Sequence, residues 1–299
     1  MTKIIDMFGL WTLLRPVFLV SVIGVVVVYF LIIGRWRQRF TISSPVSKKQ
    51  ITFFLLASIL LYVTKGPIDA IGHVMFSVHM TEMAVLYLII PPLFILGIPS
   101  WFFKALLNIH FVKNIFSFFA SPLLALLTFN GLFSFYHVPL VFDYVKQSMI
   151  FHPLITILLF FTAFMMWWPL LNKLAEWQSL TPIKKIGYIF ANGVLLTPAC
   201  ALIIFADTPL YATYYDPQTW ANSVHFMMNS NGAMISGGSQ VLNPMPLVDD
   251  QQLGGVMMKI IQEIVYGSIL AYVFFQWVRQ EREKDEVDLN TRMSPQPAE

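Results

Sequence analysis

The chain contains 299 residues, of which 57% are hydrophobic, 15% aromatic and only 12% charged. Soluble domains carry about 25% charged residues, so this chain cannot build a water-facing surface and is expected to be a membrane protein. Its net charge of +3 comes from only 19 basic and 16 acidic residues, which excludes a nucleic-acid binder. The single cysteine, Cys200, excludes a disulfide framework and a zinc ribbon.

Long uncharged runs predict an all-α membrane protein, because a backbone in lipid must satisfy its own hydrogen bonds. Seven runs predict a seven-transmembrane helix bundle within residues 1–278. They are 17–33, 51–64, 74–98, 116–137, 150–171, 186–206 and 256–278. The second run is short and is expected to tilt little or to extend past Lys65. Pro91 and Pro92 are expected to kink or break the third helix, which frees carbonyls that a neighbouring helix must satisfy.

The amino terminus, MTKIIDMFGLWTLLRP, has no compact apolar stretch followed by a small-residue cleavage site. The first helix is therefore expected to stay in the mature protein. Most Lys and Arg residues follow the first, third and fifth runs or lie in the carboxyl-terminal tail, and this bias predicts that those segments are cytoplasmic. The amino terminus is accordingly predicted outside and the carboxyl terminus in the cytoplasm.

Two segments outside the helices stand out. The connection 207–255 contains no Lys or Arg and is predicted to face outward, where its length suggests a functional cap or a poorly ordered segment. Its composition favours a loop with at most a short helix near 220–229. The charged residues 279–299 are predicted to form a disordered cytoplasmic tail.

Polar residues in the outer half of the bundle are the candidates for chemistry. In this orientation, five of the six histidines lie at the outer membrane boundary. Met75, His79 and Met83 recur every four residues, which predicts one helical face. Soft thioether and borderline imidazole donors favour Cu(I) over magnesium, calcium or manganese. The candidate metal ligands are His73, Met75, His79, Met80, Glu82, Met83, His152 and Glu263.

Each candidate also has a structural interpretation. Methionine commonly fills gaps in apolar cores, so a methionine taken alone indicates packing. Glu263 pairs with Lys259 on one helix turn in the structural alternative, and Asp69 lies at the water boundary. In the functional alternative, Glu82 and Glu263 face the bundle interior and support or bind the metal.

Other features indicate no chemistry. Asp249 and Asp250 are expected to be solvated loop charges, and Cys200 is expected to be an inert buried thiol. The chain has no HExxH sequence, no nucleophile elbow and no phosphate-binding loop. An enzyme is therefore not expected.

Several blocks of sequence resemble a known family. They are GPIDAIGH, FSVHMTEMAVLYLIIPPLFILGIPSW, FNGLFSFYHVPLVFD, FMMWWPLL, GVLLTPACALIIFA and DDQQLGGVMMKIIQEIVYG, within residues 66–269. Together they resemble the seven-helix CtaG type of cytochrome c oxidase assembly factor, which is associated with caa-type oxidases. His79 and Met80 match the HM pair of that family, whereas Met83 stands where many relatives have a second histidine.

The resemblance implies a multi-pass plasma-membrane protein that helps to mature the oxidase. It implies delivery or insertion of copper, held transiently as Cu(I), at the copper B centre of the large oxidase subunit. The expected partners are the lipid bilayer, that large subunit and a copper-donor protein.

Two other functions remain open. A transporter of an ion or small solute would use the Pro91-Pro92 break and the acidic residues as a pathway. Transport requires polar residues in the inner half, which is nearly bare apart from His110, so it ranks second. A haem-binding electron-transfer protein, with His79 and His152 as ligands, ranks third.

Overall fold

The computed structural model describes residues 8–40, 43–224 and 238–293. Regular structure in these ranges is entirely helical, which confirms the all-α class. The helices are α1 (Leu10–Ile33), α2 (Lys48–Gly72), α3 (Phe76–Gly97), α4 (Ser100–Leu107), α5 (His110–Phe119), α6 (Pro122–Tyr136), α7 (Pro139–Lys146), α8 (Phe151–Leu171), α9 (Pro182–Ile204), α10 (Ala212–Tyr215), α11 (Pro217–Val224) and α12 (Leu247–Met293).

The described helices include six candidate spans, or seven if one bent pair is counted as a single span. Helices α1, α2, α3, α8, α9 and α12 are each long and apolar enough to cross a membrane. The fourth predicted span, 116–137, is not one straight helix, because α5 and α6 meet at a bend of 72°. Pro122 begins α6, where its missing N–H and fixed φ suit a first helical turn better than a helix interior.

Helix α3 is the most deeply buried of the candidate spans. Five helices form a closed ring in the order α3, α8, α6, α9 and α12, and α2 packs on the outside of α3 with α1 beyond it. The most apolar window of α3 is 67% buried, whereas that of α1 is 11% buried and leaves its valines facing lipid. Polar groups on α3 are therefore the ones most removed from lipid and water.

Two glycines permit the close helix crossings around α3. A Cβ on Gly97 would lie 2.6 Å from the backbone nitrogen of Phe54 on α2. A Cβ on Gly254 would lie 2.9 Å from Cδ1 of Phe76, where α12 crosses the start of α3. Small residues at such positions let two backbones approach within a membrane.

The proline pair acts on the helix as the sequence predicts. A wide π-helical turn, Val85–Ile89, precedes Pro91 and Pro92, and Tyr87 loses its usual i+4 donor because Pro91 has no N–H. The indole nitrogen of Trp167 on α8 donates to this carbonyl at 3.0 Å. A second π-helical turn, Thr64–Ile68, lets α2 continue to Gly72, which confirms its extension past Lys65.

The long connection between α9 and α12 packs as a cap in its described parts. Tyr211, Tyr214 and Trp220, carried on or beside α10 and α11, are buried against the bundle. Helix α11, Pro217–Val224, covers the first part of the helix expected near 220–229. Residues 225–237, which include His225, Met227 and Met228, lie outside the described residues.

The charged tail differs from the expectation. Helix α12 passes Arg279 without a break and ends at Met293, so residues 279–293 are helical rather than disordered. The segment contains no Gly or Pro and alternates acidic with basic residues, a pattern that supports a helix. Residues 294–299 lie outside the described ranges.

Candidate functional site

A chain of ion pairs joins α1, α2 and α3 at the end of the bundle where α2 ends and α3 begins. The Lys65 ammonium lies 2.5 Å from Oδ1 of Asp69 and 2.7 Å from Oε1 of Glu82. The Arg15 guanidinium lies 2.5 Å from Oδ2 of Asp69. Asp69 is only 2% exposed, and both of its carboxylate oxygens are paired with these cations. Buried carboxylates require such partners, because an unpaired charge costs several kcal/mol within a membrane.

Arg15 enters this ion-pair chain through an unusual backbone. It lies between two helical stretches of α1 with a φ of 42°, in the left-handed region that non-glycine residues rarely adopt. Its guanidinium also donates to the carbonyl of Lys65 at 3.0 Å. These contacts fix the start of α1 to the end of α2.

Lys146 is a further buried cation near the same end. Its residue is 1% exposed, and its ammonium lies 5.9 Å from the centre of the Phe142 ring. No carboxylate in the described ranges lies within 4.0 Å of it. Burial lowers the pKa of Lys146 from 10.5 to about 8, although the charges of Glu82 and Asp69 oppose this effect.

Three histidines, His73, His79 and His137, are buried in this part of the protein. Both ring nitrogens of His73 and of His79 lack a hydrogen-bond partner among the described residues, and so does Nε2 of His137. The rings of His73 and His152 are nearly perpendicular, with centres 5.5 Å apart. Nδ1 of His79 lies 4.0 Å from Oε2 of Glu82. Buried polar atoms are normally satisfied, so this many free nitrogens require an explanation.

Burial also fixes the charge of the histidines that lie outside the spanning helices. It lowers the pKa of His73 well below the ordinary value, with the positive charge of Lys146 as a further cause. It lowers the pKa of His137 to about 4. Both imidazoles are therefore neutral near pH 7, and the neutral form is the one that binds metal ions.

The structure brings four predicted ligands to this end of the bundle: His73, His79, Glu82 and His152. Met80 and Met83 are buried on α3, as a core or a metal site would both require. The predicted single face of Met75, His79 and Met83 is wrong at Met75. That residue precedes the first turn of α3 in an extended conformation and packs against the separate cluster of Phe8 and Trp220.

Glu263 is not part of this end. Its side chain is 64% exposed and lies 2.9 Å from Lys259, which is the structural alternative offered for this pair. Within the described residues, no three His, Cys, Asp or Glu side chains form a group that could hold a metal ion.

Asp250 holds the start of α3 in place, a role that the sequence interpretation missed. It is 1% exposed rather than solvated, and it accepts hydrogen bonds from the backbone N–H groups of Phe76 at 2.7 Å and Ser77 at 3.2 Å. It also accepts from the Ser77 hydroxyl and from the Asn243 amide. Asp250 thus caps the first turn of α3 from another helix and orients the turn that carries His79.

Buried amides also lie in the middle of the bundle. The Asn130 amide on α6 donates to Asn192 on α9 at 2.6 Å. This bond connects two helices of the ring, as interhelical amides do in membranes. Gln262 on α12 is fully buried near Gly193 of α9.

The fold and this end of the bundle define a multi-pass membrane protein with buried ion pairs and histidines whose nitrogens are free. The chain belongs to the family of cytochrome c oxidase caa3 assembly factors, whose family model (Caa3_CtaG) matches residues 27–280. This match confirms the resemblance found in the sequence. No curated protein matches the chain, and no solved structure does.

Proposed function

We propose that this protein matures a caa3-type oxidase in the plasma membrane by holding Cu(I) and passing it towards the copper B centre of the large oxidase subunit. Copper is cargo in this proposal, so the protein assembles another enzyme and catalyses no reaction itself. A separate copper-donor protein supplies the ion.

The observation that carries the proposal is the pair His73 and His152. Their ring centres lie 5.5 Å apart, and both nitrogens of His73 are free. A metal-bound imidazole nitrogen lies about 2.0–2.1 Å from an ion such as zinc, so two rings at this separation are close enough to share one ion. The neutral state of His73 leaves a lone pair available for this bond.

His79 and the buried methionines of α3 supply the next donors. Nδ1 and Nε2 of His79 are also free of hydrogen-bond partners among the described residues. His79 lies on α3, whereas His73 lies in the connection between α2 and α3. Met80 and Met83 are soft donors, which favour Cu(I) over harder ions. Cu(I) accepts a low coordination number, so pairs of donors suffice where zinc requires a larger group. The proposal gives no part to Met75 or Glu263.

Metal loading tests the site directly. The full chain, purified in detergent under reducing conditions and loaded with Cu(I), is expected to retain about one copper per chain by elemental analysis. His73→Ala and His152→Ala are expected to lose most of it. His110→Ala is the matched control, because His110 is exposed on α5 at the other end of the bundle and bonds Asn114. Wild-type protein that retains no copper would contradict the metal site while leaving the family assignment intact.

A cellular test separates copper delivery from folding. Cells with His79→Ala are expected to keep normal levels of this protein and normal haem in the oxidase, but to show low oxidase activity that excess copper partly restores. Met165→Leu, a nearly volume-conserving change at a buried position on α8, is expected to leave activity unchanged. Normal activity after replacement of His73, His79 and His152 together would exclude a role for these histidines.

The visible spectrum of the same preparation excludes or supports the haem alternative. Haem absorbs strongly, whereas Cu(I) gives no comparable band. The proposal predicts a colourless protein after copper loading.

A further inference from the structure

A cavity opens on the side of the bundle between α1, α2, α3 and α8. Its volume is about 520 Å³, within the range of sites that bind small molecules. Apolar side chains form most of its wall, among them Phe18, Leu61, Leu86, Phe94 and Phe160. His152, which the metal proposal uses, lies at one end of the cavity, whereas the apolar wall has no part in that proposal.

Most polar groups of the cavity lie at one end. They are Arg15, Lys65, Asp69, Ser148 and His152. These residues lie near the start of α1, the end of α2 and the start of α8. Thr156, one turn further along α8, uses its hydroxyl to donate to the His152 carbonyl. Phe160 follows His152 by eight residues, which is about 12 Å along a helix. The cavity therefore runs from the membrane boundary into the hydrocarbon region.

The cavity opens towards lipid. Met149 and Ile157 form part of its lining on α8 and its preceding turn, and both residues are 67% exposed. In a helix that spans the bilayer, such apolar exposure is exposure to acyl chains. A molecule can therefore enter from the membrane without crossing the bundle.

The polar end offers donors and has little acceptor capacity left. Both oxygens of Asp69 are already paired, with Arg15 and with Lys65. The Arg15 side chain is 30% exposed, and its guanidinium has five N–H donors, of which these contacts use only some. Arginine forms paired hydrogen bonds with phosphate oxygens. The Arg15 guanidinium therefore has N–H donors left for an acceptor at the polar end of the cavity.

We propose that this cavity binds one anionic phospholipid, with its phosphate at Arg15 and one acyl chain along the apolar wall. Basic pockets between membrane helices bind anionic headgroups by the same chemistry. The bound lipid fills the gap between α1 and α8 and holds α1, the least buried span, against the bundle. This inference does not depend on copper binding.

Lipid binding to the purified full chain tests the proposal. Native mass spectrometry from an uncharged detergent is expected to show one saturable phosphatidylglycerol per chain, retained more strongly than phosphatidylcholine. Inorganic phosphate is expected not to displace it. Arg15→Gln is expected to weaken phosphatidylglycerol binding about fivefold, because one basic group near an anionic lipid contributes on that scale.

Two further variants keep the test decisive. Arg35→Gln changes an exposed arginine just beyond the opposite end of α1 and is expected to bind lipid as the wild type does. Ile157→Trp covers the opening without removing an ion pair, and it is expected to lower retention of phosphatidylglycerol even if Arg15→Gln fails to fold. Equal retention of both lipids by the wild type would overturn the proposal. Displacement by inorganic phosphate would also overturn it, in favour of a free-anion site.

Discussion

Replacement of Asp250 by alanine tests the cap that joins α12 to α3. The carboxylate accepts from the two backbone N–H groups that open α3, at 2.7 Å and 3.2 Å, and from two side chains. In Asp250→Ala these donors remain in a buried site without acceptors. The effect on stability is therefore expected to exceed the loss of an ordinary helix cap, which costs about 1 kcal/mol.

The magnitude follows from the groups that lose their partner. A buried donor left unsatisfied costs about 1–3 kcal/mol, so two backbone N–H groups give a loss of about 2–6 kcal/mol. A domain of this size loses about 2 °C in Tm for each kcal/mol, so the expected decrease is about 4–12 °C. Asp250→Asn keeps one acceptor oxygen but turns an amide towards Asn243. Its stability is expected to lie between that of the wild type and that of Asp250→Ala.

Thermal unfolding of the full chain in detergent measures this loss. Asp249→Ala is the matched control, because Asp249 lies next to Asp250 on the first turn of α12 but is exposed. A surface substitution usually changes stability by less than about 0.5 kcal/mol. If Asp250→Ala and Asp249→Ala unfold at the same temperature, the cap does not hold α3 and the reasoning is refuted.

Three more measurements test the bundle. Trp167→Phe removes the donor to the carbonyl freed by the proline pair and is expected to cost about 1–3 kcal/mol in thermal unfolding. Gly72→Ala places a Cβ 3.0 Å from Oε2 of Glu82 and is expected to destabilise more than Gly131→Ala, where nothing lies within 4 Å. Between pH 8 and 10 the unfolded chain binds more protons at Lys146 than the folded chain does, so the free energy of unfolding of the wild type is expected to rise with pH relative to that of Lys146→Met. The same dependence of stability on pH in both proteins would contradict the lowered pKa of Lys146.

The sequence predicts the spans because lipid imposes one rule on every residue of a crossing helix. Hydropathy alone located seven spans, and the missing N–H of Pro91 was enough to predict a carbonyl that needs another donor. The identity of that donor, Trp167, depends on how α8 faces α3, which no local pattern contains.

Charged residues were harder to place, because their partners lie far away in the chain. Asp250 has the appearance of a loop charge, yet its partners Phe76 and Ser77 precede it by more than 170 residues. Asp69 is buried, and one of its two partners, Arg15, comes from another helix and precedes it by 54 residues. Tertiary contacts decided both cases.

The methionine pattern failed for a local reason. The four-residue spacing from Met75 to Met83 assumes that the helix has already begun at Met75. Helix α3 begins at Phe76, so Met75 has an extended backbone and its side chain leaves the face of His79. The predicted helix began at residue 74, and this difference of two residues is enough to remove Met75 from the predicted face. Helix ends are the least certain part of such a prediction.

Helix α12 makes the molecule longer than the membrane that holds it. Its 47 residues, at 1.5 Å each, extend about 70 Å, against about 40–45 Å for a bilayer with its headgroups. The helix is therefore about 25 Å longer than the bilayer is thick. Asp250 lies on its first turn and caps the first turn of α3. One continuous helix thus links the turn that carries His79 to the charged segment 279–293.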